Sequence, residues 1–231
     1  MIKLYLYPSL FGLVDNNPFG LKVFSYLKLN NISFKTINTI DVSKAPRNQL
    51  PYIDDHGEII SDSNDIIRYI DKKYNLNMDE NLNIEQQTML KLVTSLLDNH
   101  MYWIISYSRW SDKKPWLQFK KEFMKSVPEI GEKNLEVIRQ YNLKKYQTHG
   151  IGRYSSDYVY NSGIENIKII ESILGCNKYI FGDSITSLDC TCYAFLSSIY
   201  YFQLDTPLNR YIQNSPLTVA YIERLHQKIN L

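Results

Sequence analysis

Residues 48–67 read NQLPYIDDHGEIISDSNDII, and three elements sit in them back to back. PYIDDHGEII is two short strands joined by a turn through Asp55, His56 and Gly57. SDSNDIIRYIDKKY continues as a helix, with polar caps at Asp62 and Ser63 and an apolar face at Ile66, Ile67 and Ile70. The stretch is therefore a β-hairpin feeding a helix. Upstream, Ile2–Tyr7 has strand character and is ended by Pro8. PFGLKVFSYLKLNN carries Leu21, Phe24 and Leu27 at helical spacing, with Pro18 at a first-turn position. Residues 32–37, ISFKTI, alternate as a strand. The first 76 residues thus read βαβ followed by ββα.

Beyond them the character changes. Residues 75–83, NLNMDENLN, are Asn-rich and aperiodic, which marks a linker. From residue 84 nearly everything is helical. IEQQTMLKLVTSLLDNHMYWIISYSRW is expected as one long helix and DYVYNSGIENIKIIESILG as another, ended by Gly175. Helices also follow in TSLDCTCYAFLSSIYYF and SPLTVAYIERLHQKIN. The expected organisation is an α+β domain over residues 1–76 and an all-α domain over 84–231. A chain of 231 residues is long enough for both.

Composition removes several classes of function. Formal net charge is +2 and charged residues make up 22% of the chain, so no strong field favours nucleic acid or an anionic membrane. The 19 tyrosines lack the basic stripe of a nucleic-acid groove. The start of the chain has no long apolar signal-peptide core, and the apolar stretch at 192–202 is too short to span a bilayer, so no membrane anchor is expected. Cys176, Cys190 and Cys192 are an odd set with neither disulfide nor zinc spacing, and read as reduced thiols of a cytoplasmic protein. No metal site is expected.

Three local patterns carry a resemblance. In NQLPYI, Leu50-Pro51 opens the third strand, where a thioredoxin-like fold keeps a cis-proline. In SDSNDII, Asp62-Ser63 resembles an acidic-Ser pair that opens a ligand-binding helix. In GDSITSLDCTCYAFL, Thr186 and Asp189 form Thr-x-x-Asp, a variant of the capping box. Together they resemble cytosolic glutathione transferases, in which a thioredoxin-like domain precedes a helical one. SKAPRNQLPYI, HGIGRYSSDYVY and NKYIFGDSITSLD narrow the resemblance to the branch of bacterial glutathione transferase homologues and the failed axon connections proteins, with metaxins more distant.

What the resemblance implies is specific. Leu50, preceding Pro51, would pair strand-like with the cysteinyl backbone of glutathione. The N–H groups and half-charge at a helix start suit the γ-glutamyl carboxylate, and Asp62 beside Ser63 can pair with its ammonium. Plain turn and cap roles also account for these four residues, and for Thr186 and Asp189 a folding role is the implied one. The implied chemistry is attack by the glutathione thiolate on a small hydrophobic electrophile, a detoxification-type reaction. A free thiol has a pKa near ~8.5, so a two-unit reduction requires ~2.7 kcal/mol of thiolate stabilisation. Family enzymes supply it with a hydroxyl or thiol near the first helix.

Here Asn17 stands at the Ser position of a Ser-Pro-Phe phrase. No cysteine precedes Cys176, which excludes glutaredoxin-type redox chemistry at this place. An amide NH2 still donates a hydrogen bond, so Asn17 is either a helix cap, a thiolate donor or both. Tyr7, at the end of the first strand, is the second catalytic candidate, against a plain packing role beside Tyr5. For the electrophile the long helix offers Tyr102, Tyr107, Arg109 and Trp110, with Arg153 beyond it; the arginines equally suit carboxylate pairing inside the bundle. A non-catalytic glutathione-binding or interaction module is the alternative function, motivated by the missing hydroxyl. By resemblance the protein is expected to be a homodimer.

Overall fold

The computed structural model describes residues 1–229. β1 (Ile2–Leu6), α1 (Pro18–Leu29) and β2 (Phe34–Asn38) form the first unit, and β3 (Tyr52–Asp55), β4 (Glu58–Ser61) and α2 (Ser63–Tyr74) the second. The sheet has the order β2-β1-β3-β4. β1 and β2 run parallel, whereas β3 is antiparallel to both β1 and β4. Alternation in β1 decides the layers: Ile2, Leu4 and Leu6 are buried toward the helices, while Lys3, Tyr5 and Tyr7 take the opposite face. Tyr5 and Tyr7 there pack with Val42 on a small cluster of Ala45, Leu50 and Tyr52.

The second half is helical throughout. It comprises α3 (Ile84–Leu96), α4 (Tyr102–Trp110), α5 (Lys113–Ser126), α6 (Gly131–His149), α7 (Ser156–Leu174), α8 (Ser187–Tyr200), α9 (Pro207–Gln213) and α10 (Pro216–Ile229). The expected single helix over 84–110 is continuous but carries a π-helical turn at Leu97–Met101. No Pro or Gly marks that turn, so the sequence gives no cue for it. α7 ends at Gly175, as read from the sequence.

α8 joins the two halves. Every residue from Leu188 to Ile199 is buried, and α8 packs against α1 on one side and α9 and α10 on the other. A helix with no polar face has to be enclosed on all sides. Cys190 and Cys192 lie in it as free buried thiols, and Cys176 is free and exposed. Among the described residues no helix is long and apolar enough to cross a membrane.

Candidate functional site

Strand register gathers the N-terminal candidates at one end of the sheet. Tyr5 pairs with Tyr52 across β1 and β3, and Tyr52 with Ser61 across β3 and β4. The β1–β3 pairing ends at Tyr5–Tyr52 and the β3–β4 pairing at Tyr52–Ser61, so Tyr7, Leu50 and Ser63 each lie two residues beyond the same end of the sheet. The Leu50-Pro51 bond is cis. Asn38, at the end of β2, holds the place from the other side: its amide donates to the carbonyls of Tyr7 at 2.6 Å and Val14 at 3.0 Å.

Asn17 is the N-cap of α1. Its backbone is extended and its side-chain oxygen accepts the Phe19 N–H at 3.0 Å, as its position before Pro18 leads one to expect. Beneath it lies Asp15, fully buried, whose Oδ1 accepts the Asn17 N–H at 2.8 Å. Burial pushes the Asp15 carboxyl well above the usual carboxylate range, against the N–H groups of Asn17 and Tyr7 and the nearby Arg109 cation. α1 can pass this close only through a glycine, because a Cβ on Gly20 would stand 1.7 Å from Asp15 Oδ2.

Arg109 reaches the same loop from α4. Its guanidinium donates to the main-chain carbonyl of Asn16 and, at 3.2 Å, to that of Ser198. It lies 3.9 Å from the centre of the Phe202 ring. Burial lowers its pKa to about 10, while Tyr102, Tyr146 and Asp15 act in the opposite sense. Arg109 is therefore turned inward, bracing the loop that carries Asn17. Its hydrogen-bond partners are main-chain carbonyls rather than the carboxylates expected inside the bundle.

The start of α2 is built differently. Asp62 caps it by accepting the Asn64 N–H at 2.9 Å, with φ at +75°. For a non-glycine residue that conformation costs about 1–3 kcal/mol, and such residues cluster at ligand sites. The Asp62 carboxylate is exposed and faces Arg47 at 3.6 Å, whereas Ser63 is buried. Behind them Lys22 of α1, itself buried, donates to Asn64 Oδ1 at 2.7 Å and to Asp98 of the π-turn at 3.1 Å. The Asn64 amide also donates to Asp98 at 2.9 Å. This triad fixes both helix starts to the helical half.

Tyr7 completes the arrangement. Burial foremost, with Tyr102 and Asp15 adding, raises its phenol to about 12. It therefore keeps its proton at neutral pH and can donate a hydrogen bond. Tyr102 packs over the first turn of α1, its ring 4.9 Å from Phe19. The other proposed electrophile contacts lie elsewhere. Tyr107 is buried and meets Ser156 Oγ at 3.0 Å. Trp110 stacks on Trp116 at 5.3 Å. Arg153 is exposed at the turn after α6, where it donates to the Gln147 carbonyl at 3.2 Å. With ~100° per residue, Tyr107 and Trp110 point well away from the face that Tyr102 shares with Arg109.

Residues that the sequence reading passed over stand nearer. Tyr141 of α6 adds to the upward shift of both Tyr7 and Tyr102. The Trp103 ring touches Tyr102 at 5.6 Å and stacks on His149 at 4.1 Å. Lys145 lies 5.5 Å from the ring centres of both Trp103 and Tyr141. Tyr141, Lys145 and His149 are spaced i, i+4, i+8, a stripe legible in the sequence but submerged among the charges of α6.

Comparison with known proteins agrees with this architecture. Residues 18–124 match the family model described as glutathione S-transferase N-terminal domain, and residues 163–225 match glutathione S-transferase, C-terminal domain. The isoprene-epoxide–glutathione S-transferase of Rhodococcus sp. (strain AD45) is 29% identical over 244 residues, covering 100% of both chains. Failed axon connections of Drosophila melanogaster is 28% identical over 243 residues; the match takes in 99% of this chain, which spans 58% of that protein's length. Among solved structures, glutathione transferase GSTFuA3 from Phanerochaete chrysosporium superposes with a TM-score of 0.69 at 13% identity, covering 98% of this chain and 96% of that one.

Proposed function

The chain belongs to the glutathione S-transferase superfamily, and from that premise we propose that it binds glutathione and conjugates its thiolate to a small hydrophobic electrophile. The gathering of Tyr7, Leu50 and Ser63 just beyond one end of the sheet, two residues past the paired Tyr5, Tyr52 and Ser61, supports this reading above all. In it the Leu50 backbone pairs with the cysteinyl residue of glutathione. Ser63 and the free N–H groups of the first turn of α2 take the γ-glutamyl carboxylate, and Asp62 takes the ammonium. The positive φ at Asp62 supports a ligand-directed role for that carboxylate.

The thiol then lies toward the start of α1. Two neutral donors are available there: the Asn17 NH2, since its oxygen is committed to the cap, and the Tyr7 hydroxyl. Each is a donor that cannot ionise at neutral pH, which suits it to stabilise an anion. The thiol proton leaves to solvent. The sulfur lone pair forms the new C–S bond, and the electrophile's leaving group or ring oxygen departs with its bonding pair. The Rhodococcus relative named for isoprene epoxide supports a ring-opening substrate of modest size. The protein is placed in the cytoplasm, where glutathione is supplied, and acts as a homodimer.

Calorimetric titration with glutathione and with S-hexylglutathione tests the binding step, and chlorodinitrobenzene tests turnover. Binding of both ligands with conjugation above background is expected. Failure of both sinks the reading. A second reading, a glutathione-binding module without turnover, is favoured by the amide at position 17. Asn17→Ser discriminates: a large gain of conjugation over the native protein would mean that the native site had lost activity.

A further inference from the structure

Alongside Tyr102, α4 and α6 enclose an open groove of about 490 Å³ lined by Trp103, Tyr141, Lys144, Lys145, Thr148 and His149. Its walls are aromatic and basic, and no carboxylate lines it. Three of its side chains are arranged about one another. The Trp103 and His149 rings stack at 4.1 Å with planes 24° apart, and the Lys145 ammonium stands 5.5 Å from the centres of both Trp103 and Tyr141.

Lys145 is the unusual member. Its side chain is half-buried, and burial alone lowers its pKa. Nearly every other lysine or arginine that is partly withdrawn from water here has a carboxylate or carbonyl partner, as Lys22 and Arg109 do. Among the described residues Lys145 has neither; its company is two ring faces. Such faces attract a cation only weakly at exposed sites, which does not replace a counter-ion. A planar group sliding against Trp103 with an anionic edge toward Lys145 would supply what is missing, with Lys144 adding charge of the same sign.

We propose that this groove is the electrophile subsite of the transferase reading, and that Lys145 selects electrophiles carrying a carboxylate or similar anion on a flat conjugated frame. The inference rests on that reading for its chemistry, and it sharpens an apolar substrate into one with a charged edge. The groove lies next to the candidate site through Tyr141, which lines it and also acts on the Tyr7 and Tyr102 phenols, and through Trp103, whose ring touches Tyr102.

The test uses a pair that shares one aromatic frame and leaving group, 4-chloro-3,5-dinitrobenzoate and its methyl ester, with each rate taken relative to the uncatalysed reaction with glutathione. In both, the thiolate sulfur attacks the chlorine-bearing carbon, the C–S bond forms, chloride leaves with the bonding pair, and the thiol proton goes to solvent. The native protein should show the higher kcat/KM for the carboxylate. Lys145→Met should lower the acid-to-ester ratio about tenfold, the size expected for one lost charge-assisted contact, with the change in KM rather than kcat. Lys145→Arg should restore it.

Binding measured without glutathione separates the two claims. Calorimetry with 3,5-dinitrobenzoate and its methyl ester should show tighter binding of the acid, a difference that Lys145→Met abolishes. If conjugation occurs but the ratio is indifferent to Lys145→Met, the charge selection is overturned and the transferase reading stands. If glutathione neither binds nor reacts while the acid still binds through Lys145, the transferase reading fails and the groove stands as an anion subsite. Equal binding of acid and ester overturns the proposal outright.

Discussion

Helix starts of two kinds occur in this chain, and their difference separates framework from site. At α8, Thr186 and Asp189 form a capping box in which nothing is left over. Asp189 accepts from the Thr186 N–H at 2.8 Å, the Thr186 hydroxyl at 2.9 Å, the Ile180 N–H at 2.9 Å and the Tyr221 hydroxyl at 2.9 Å. At α1 and α2 the caps are incomplete. Asn17 accepts one N–H and keeps its amide group uncommitted, and Asp62 accepts one N–H and keeps an exposed carboxylate edge. A helix start whose polar groups are all paired internally stabilises the fold; one with surplus donors and charge can hold a ligand.

The comparison breaks first at Asp189. Asp189→Ala leaves two backbone N–H groups and the Thr186 and Tyr221 hydroxyls without their acceptor in a buried place, each unsatisfied group costing about 1–3 kcal/mol. A loss of ~4 kcal/mol is expected, read as a lowered urea midpoint, with no specific effect on glutathione affinity in whatever protein remains folded. A variant that instead folded normally and lost only binding would make α8 part of the site. Burial raises the Asp189 carboxyl from its ordinary value in spite of these bonds. Its charge is thus held at some cost, and Asp189→Asn does not rescue the loss because its NH2 would face N–H donors.

Lys22 tests whether the open helix starts need the helical half. Lys22→Met removes the cation of a buried pair and leaves Asp98 supported only by Asn64. Breaking such a pair from one side typically costs 3–5 kcal/mol, and ~3 kcal/mol is expected here because the Asn64 contact survives. Glutathione affinity should fall as well, since Asn64 sits in the first turn of α2. Unchanged affinity at reduced stability would place the triad outside the site.

Asp62→Gly runs in the opposite direction. Glycine accepts φ at +75° without penalty, and as a cap it forfeits only a few tenths of a kcal/mol. Stability should rise by about 1 kcal/mol, measured as a higher urea midpoint, while glutathione affinity falls. A gain in stability with affinity intact would mean that Asp62 is a strained cap and nothing more.

These predictions also mark how far the sequence could be followed. The hairpin and the Thr186–Asp189 box were legible because their signals are local: two short strand patterns around a turn through Asp55, His56 and Gly57, and a fixed three-residue offset. Asp15 looked like any residue before a helix cap, and its burial follows from Gly20 and Arg109 closing over it. Arg109 and Lys22 find partners 93 and 76 residues away, beyond any local pattern. α4 is aromatic on several faces, so only packing against α1, α6 and α7 decides which aromatics reach the cleft. Tyr102 packs on Phe19 of α1; Tyr107 and Trp110 fill the bundle.

The smallest change in stability should come from Asn17→Asp, which sharpens the comparison most. Asp caps a helix as well as Asn and interacts favourably with the positive end of α1, so stability should change by less than ~0.5 kcal/mol. The surplus group, however, changes from a donor to an anion. If the Asn17 NH2 stabilises the thiolate, a carboxylate in its place must raise the thiol pKa and suppress conjugation by well over tenfold. The bound glutathione thiolate, followed by its ultraviolet absorbance against pH, should titrate at higher pH in the variant. Asn17→Ala is the less decisive change, because it removes cap and donor together at a cost of about 1 kcal/mol. Should Asn17→Asp leave both the titration and the rate untouched, the donor is Tyr7, and the surplus amide at the start of α1 has no part in the chemistry.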